Sequence, residues 1–340
     1  MNPRTYRLLE LDKILARLEE ATATTLGRNL AHALKTSSDI AEVQARLAQT
    51  SEARRFVDEL RHPPFGGISD VQSQLKNASI GALLDAHSLL AVALFTAGAR
   101  RLREAILRST RAEFPILHHD ASLIVPRPDI ERAILEAIDE DTREIKDDAS
   151  IDLLRARRNI RQTQSQIGIK LRQMLSDPNV QPHLQDAFVT VRDGRYCLPV
   201  KAENRARVPG IVHDRSGSGG AFFVEPQAVV EMNNRLRELH SDEREAIQAI
   251  LSALSARVAG ATDDLIPSLQ ACACLDFAFA KANLSLAMKG IEVPVSLARE
   301  GASYALLQAC HPLVNGCVPN NILLGDTVEP DGAKSTTENG

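Results

Sequence analysis

Residues 187–234, AFVTVRDGRYCLPVKAENRARVPGIVHDRSGSGGAFFVEPQAVVEMNN, set the strongest limit on how this chain can fold. Four short strand-like runs lie there, between two long stretches of helical pattern. Asp193-Gly194 separates Phe188–Val191 from a run in which Tyr196, Leu198 and Val200 alternate with other residues. Asp-Gly between apolar runs is a hairpin turn, and a period of two marks a half-buried strand. Ile211-Val212 is a third run. The stretch Arg215–Gly220 turns into Ala221–Val224, and Glu225-Pro226 then stops that strand and opens a helix, because proline suits a first helical turn. The pattern predicts a small β module inserted between two long helices.

The flanking stretches support that reading. From 129 to 177 there is no proline and a single glycine, Gly168. Leu153, Ile160, Ile167 and Met174 fall seven apart with polar Arg157 and Gln164 between them, half of a coiled-coil seam. One continuous helix over this span would be about 73 Å long. A second pattern runs from Pro226 to Ala261, its stripe marked by Met232, Leu236, Leu239, Ile247, Ile250, Leu254 and Val258 and interrupted at Glu243. The two are expected to pack antiparallel. Elsewhere, 4–60, 71–114 and 266–288 read as helical, with a break at Arg61–Gly67. Tyr304–Leu307 and Asn321–Leu324 read as short strands, and the polar DTVEPDGAKSTTENG as disordered. With aromatics at 4% and no Trp, composition favours helices over sheets.

Several function classes are disfavoured. A net charge of −4 gives no global attraction to nucleic acid, so binding of that kind must use local patches. The charged N-terminus, MNPRTYRLLELDK, lacks the apolar run of a signal peptide, and no segment approaches the roughly 20 apolar residues that span a bilayer. Five cysteines form no disulfide framework and read as reduced cytoplasmic thiols. The glycine-rich 216–220 segment leads into a strand rather than a helix, so it reads as a mobile hairpin tip and not a phosphate cradle. Gly332-Ala333-Lys334-Ser335-Thr336 fails as a Walker A loop: Lys334 does not follow its glycine directly, and Thr327 stands where the first glycine belongs. Cys272-x-Cys274 and Cys310-His311 with Cys317 do not match structural zinc spacings, so no metal and no resident cofactor are expected. His118-His119-Asp120 reads as a polar loop. No Ser/His/Asp arrangement for nucleophilic catalysis is present.

Three basic groups remain: Arg100, Arg101, Arg103, Arg108 and Arg111; Arg155, Arg157, Arg158 and Arg161; and Arg192, Arg195, Lys201, Arg205, Arg207 and Arg215. The first two read as solvated faces offset by nearby acids. In the β module six bases meet five acids (Asp186, Asp193, Glu203, Asp214, Glu225), so the excess is small and position must decide.

The β module and the start of the helix after it resemble the second bacterial MutS family, called here MutS-two, a paralogue of the mismatch-repair protein without its mismatch-reading domain. The resemblance lies in RDGRYCLPVKAENR, in GIVHD, and in Ser216, Ser218, Gly219, Glu225, Pro226, Val230, Asn233 and Asn234. Fainter echoes are Leu26-Gly27-Arg28, Thr50-Ser51-Glu52-Ala53, Pro63–Ile68, His311-Pro312-Leu313 and Val318–Asn321. The resemblance implies a mainly α fold: a helical core (1–125), an ascending lever helix (126–185), a small β clamp (186–225), a descending lever helix returning to the core (226–290) and the start of an ATPase domain (291–340). It also implies that Lys201, Arg205, Arg207 and Arg215 contact phosphates, with Ser216, Gly217, Ser218, Gly219 and Gly220 as the turn of the clamp. The family's ATP- and Mg-dependent hydrolysis and its nuclease activity fall on regions with no counterpart in this sequence. The resemblance implies branched DNA or the ribosome and structured RNA as partners, with a homodimer or a full-length paralogue as further ones. A helical scaffold that binds only protein, or a truncated product without function, are the alternatives.

Overall fold

The structure is a computed structural model and describes residues 8–217, 219–295, 304–314 and 316–324. Its helices are α1 (Leu11–Glu20), α2 (Thr25–His32), α3 (Ile40–Leu60), α4 (Gln72–Ser79), α5 (Ala86–Leu107), α6 (Pro115–Ser122), α7 (Pro128–Ala137), α8 (Ile151–Leu175), α9 (Val230–Ala259) and α10 (Thr262–Ala287). The strands are β1 (Thr190–Arg192), β2 (Arg195–Lys201), β3 (Gly210–Arg215), β4 (Ala221–Pro226), β5 (Tyr304–Ala309) and β6 (Asn320–Leu324). The chain is mainly α with a small inserted β module. The Walker-like segment at 332–336 lies outside the described residues.

The chain divides into two compact units, one of residues 1–72, 94–126 and 263–340, the other of 73–93 and 127–262. In the first unit, Phe56 sits edge-on to both Phe114 and Phe279, with ring centroids at 5.2 and 5.5 Å. Such pairs add specificity to apolar burial. Two of the fainter sequence echoes have structural explanations here. Glu52, with 3% of its surface exposed, accepts a hydrogen bond from the Leu117 backbone N–H at 2.7 Å and so caps α6. Gly27 faces Asp276 of α10, whose carboxylate accepts from the Ala23 and Thr24 N–H groups at 2.9 and 2.8 Å and from the Thr24 hydroxyl at 2.6 Å. A Cβ on Gly27 would lie 2.2 Å from Asp276 Oδ2, so only glycine lets α2 approach.

Helix α10 corrects one expectation. Among the described residues it is the one helix long and apolar enough to cross a membrane, with a mean hydropathy of 1.2 over its most apolar window. That window is 67% buried within the fold, and it carries the buried Asp276, which is how a core helix behaves.

In the second unit, α8 and α9 run antiparallel. Arg157 of α8 pairs with Glu243 of α9 at 2.9 Å, while further along Ile167 and Leu171 share an apolar cluster with Val229, Leu236 and Leu239. The buried positions of α8, Leu153, Ala156, Ile160, Thr163, Ile167 and Leu171, recur at three and four residues. Glu243, the interruption in the α9 stripe, is the partner that allows Arg157 to face the seam.

The uninterrupted pattern at 129–177 is not one helix. α7 stops at Ala137, an Ile138–Ile145 bridge follows, and α8 begins at Ile151. The Asp139 carboxylate accepts from the Thr142 N–H and hydroxyl at 2.8 and 3.0 Å, which holds it below the ordinary carboxylate range, and also from the Asp141 N–H at 3.1 Å, and Arg143 takes a left-handed φ of 60°. The Ser150 hydroxyl then accepts from the Leu153 N–H at 3.1 Å, an N-cap. At 25 residues, α8 is about 38 Å long, half of the expected span.

Candidate nucleic-acid interface

The β module is an antiparallel sheet in the order β1-β2-β4-β3. Register pairs Leu198 with Val224 and Val200 with Phe222. Paired residues point to the same side, so these four share a face, and that face packs on Ile167, Leu171, Leu236 and Leu239 of the helix pair. The other face carries Arg192, Arg195, Cys197, Phe223 and Glu225. Arg192 covers the Phe223 ring with its guanidinium 4.2 Å from the centroid, and lies 3.5 Å from Asp214.

Glu225, at 0% exposure, is the centre of this face. Its Oε1 accepts from Arg195 and from the Asn233 side-chain amide, both at 2.8 Å, and its Oε2 lies 2.6 Å from His213 Nε2. His213 reaches it from a β-bulge between Val212 and Asp214, an irregularity that re-aims a side chain. Asn233 of α9 also exchanges hydrogen bonds with the Tyr196 backbone, both at 3.2 Å, and Arg195 donates to Asn234 at 2.8 Å. The sheet is therefore fastened to α9 by polar groups as well as by its apolar face. Gly210 is held to the same place: a Cβ there would stand 2.1 Å from the Glu225 carbonyl oxygen. Cys197, beneath the same face, is pushed up to about 11 by burial and then by Glu225, which makes it an inert thiol.

The structure places the four expected phosphate contacts differently from one another. Lys201 pairs with Ala221, and Arg215 with Phe222, so the two stand at one end of the sheet on either side of β4. Lys201 donates to the Pro182 carbonyl at 3.1 Å, and Arg215 lies over the Phe222 ring at 5.5 Å and donates to the Gly219 carbonyl at 3.2 Å. Both bonds leave donors on these side chains. Arg205 is elsewhere. A short 3₁₀ helix, Ala202–Arg207, starts the connection from β2 to the far end of the sheet, and there Arg205 donates to the Val208 and Gly210 carbonyls at 3.2 and 2.7 Å. Its guanidinium staples its own loop. Arg207, in the same turn, is exposed.

Around Ser216, Gly217, Gly219 and Gly220 the chain turns from β3 into β4. The Ser216 N–H donates to the Ala221 carbonyl at 2.8 Å, the Gly219 N–H to the Ser216 carbonyl at 2.8 Å, and the Ser216 hydroxyl accepts from the Ala221 N–H at 3.0 Å. Gly219 takes a left-handed φ of 75°. Gly217 and Gly220 are exposed, and Ser218 lies outside the described residues.

Of the other basic groups, Arg157 and Arg161 share Asp147 at 2.6 and 2.8 Å, and Arg101 donates to the Gly66 carbonyl at 3.0 Å. Their charge is engaged within the fold. Among the described residues no group of three or more His, Cys, Asp or Glu side chains is arranged to hold a metal ion.

Sequence reading missed the roles of Arg195, His213, Glu225 and Asn233. The signal was a glutamate ending an apolar strand with an asparagine eight residues on, a spacing that turns both toward one junction.

No family model matches the chain. Curated relatives do. The protein named Endonuclease MutS2 of Symbiobacterium thermophilum is 41% identical over 330 residues, which is 97% of this chain and 41% of the relative. Those of Bacillus cytotoxicus and Clostridioides difficile are each 39% identical over 329 residues, 96% of this chain and 41% of the relative. The chain thus spans about 41% of the length of the curated relatives it matches. Across nearly all of its residues, then, including the sheet and the Glu225 junction, the chain belongs to the MutS2 family.

Proposed function

We propose that the β module is a clamp, carried by α8 and α9 as levers, and that it grips the phosphate backbone of branched DNA or of structured RNA such as that of the ribosome. The observation that carries this reading is the shared position of Lys201, Arg215 and the turn bearing Gly217 and Gly220 at one end of a sheet that is fixed by its apolar face to two long helices, with Lys201 and Arg215 on its two sides. Arg207 adds an exposed cation on the adjoining connection. Arg205 supports the site indirectly, by holding that connection. The proposal assigns no hydrolysis or strand cleavage to any residue of this chain, and it places the protein in the cytoplasm.

Phosphate contacts release counterions, so their number is read from the salt dependence of binding. In fluorescence anisotropy against a forked duplex and an RNA stem–loop, wild type should bind and weaken steeply as salt rises. Replacing Lys201, Arg207 and Arg215 together by Ala should flatten the log–log slope by about 0.7–0.9 for each phosphate no longer neutralised. Arg205→Ala should act through the loop, with a lower melting temperature. Absence of wild-type binding, or coincident slopes, would sink the reading.

A second reading has its own observation. Phe188, Val191, Ile211 and Val212 on the module are 48, 48, 45 and 39% exposed. Apolar side chains there suit a protein partner such as a full-length paralogue. Co-elution with that paralogue, in the absence of nucleic-acid binding, would favour the scaffold.

A further inference from the structure

In the first unit a cavity of about 340 Å³ opens among α1, α3, α10 and the segment after α2. Its volume lies in the roughly 300–1,000 Å³ range of small-molecule sites. Leu11, Leu15, Leu34, Val43, Leu47 and Phe277 make most of its wall. The ionisable side chains on that wall are Lys35, Arg46 and Lys281, and no carboxylate lines it. Arg46 already has an anion, bonding Glu42 one helical turn away, and also donates to the Lys35 carbonyl at 3.2 Å.

Lys281 is different. Its amine is half-buried, donates to the neutral Gln49 amide oxygen at 3.2 Å and rests 4.8 Å from the centre of the Phe277 ring. Among the described residues no carboxylate comes within ion-pair distance of it. Burial, and then the neighbouring Arg46 charge, push its pKa down to about 8, and the Cys274 thiol and the Asp120 carboxylate, which act the other way, only partly offset this. The result is a desolvated amine at the wall of an apolar cavity with no carboxylate paired to it directly: Asp120 reaches it only through Gln49, whose amide N–H donates to that carboxylate at 2.9 Å. Charge of that kind is stabilised by an anion delivered with its own apolar cover.

We propose that this cavity binds a carboxylate-headed amphiphile, with the head on Lys281 and the chain against Leu11, Leu15, Leu47 and Phe277. The site is independent of the nucleic-acid reading. Nothing covalent is required of it.

The test uses the full chain and decanoate below its micelle-forming concentration, with decanol and decyltrimethylammonium as tail-matched probes, by isothermal titration calorimetry. Decanoate should bind saturably at one site, at least tenfold more tightly than decanol, and the cationic probe should not bind. Lys281→Met should weaken decanoate at least tenfold and leave decanol unchanged, and Lys281→Arg should keep most of the decanoate affinity. Leu47→Phe, which fills the cavity from α3 without touching the charge, should weaken both decanoate and decanol. Absence of saturable decanoate binding, equal binding of decanoate and decanol, or unchanged decanoate affinity in Lys281→Met would overturn the proposal. If Lys281→Met fails to fold, Lys281→Arg and Leu47→Phe decide it: decanoate binding unaffected by Leu47→Phe overturns it.

Discussion

Glu225 shows how much of this module rests on one side chain. A carboxylate at 0% exposure has only its protein partners to replace water, and here they are Arg195, Asn233 and His213. Removing one member of a buried pair strands the other, a loss of about 3–5 kcal/mol. Glu225→Ala should therefore lower the stability of the second unit by that order in a urea titration, and Cys197 should become reactive toward a thiol reagent as its cover loosens. An unchanged midpoint would mean that the junction is not structural. Lys281 offers a residue-scale test by pH. Its pKa is lowered from 10.5 to about 8 in the folded chain, so between those values the unfolded state holds more protons and stability rises with pH. The contribution is complete above 10.5 and lost as pH falls through 8. Cys272 and Cys197, raised to about 12 and 11, act in the opposite sense, since the folded state then holds the extra protons above pH 9. The difference between wild type and Lys281→Met isolates the amine: it should be flat below pH 7 and grow from pH 8 to 10.

At the scale of elements, what the sequence revealed and what it hid have separate physical causes. The sheet was legible because Asp193-Gly194, the alternation of Tyr196, Leu198 and Val200, and the 216–220 glycines are local signals of turn and strand. The α8–α9 pairing was legible from period alone. The break at 138–150 was not, because Ile138 and Ile145 are seven apart and both inward-facing, so the stripe continues through a turn. The readable sign was Asp139, Asp141 and Thr142, whose short polar groups bind the backbone in place of a helix. Ser150→Ala tests that boundary. Loss of the cap should destabilise the second unit by about 1 kcal/mol with little change in helical content by circular dichroism. The Lys281 cavity left no sequence signal at all, since its wall is assembled from residues 11–50 and 277–281.

For the molecule as a whole, the net charge of −4 opposes approach to a polyanion, while the basic residues of the module act locally. Electrostatic steering should therefore be weak. Association with forked DNA is expected near the unsteered range of about 10⁵–10⁶ M⁻¹s⁻¹ in stopped flow, and a rate near the diffusion limit would show that the charge distribution has been misjudged. The Glu225 junction has one more consequence, a thermodynamic one. With its sheet bonded to α9 through Asn233 and its apolar face seated on both helices, the module is already ordered before any partner arrives. It has little conformational entropy left to lose on binding, so affinity should be limited by desolvation of Lys201, Arg207 and Arg215, with a small heat-capacity change that marks docking rather than coupled folding.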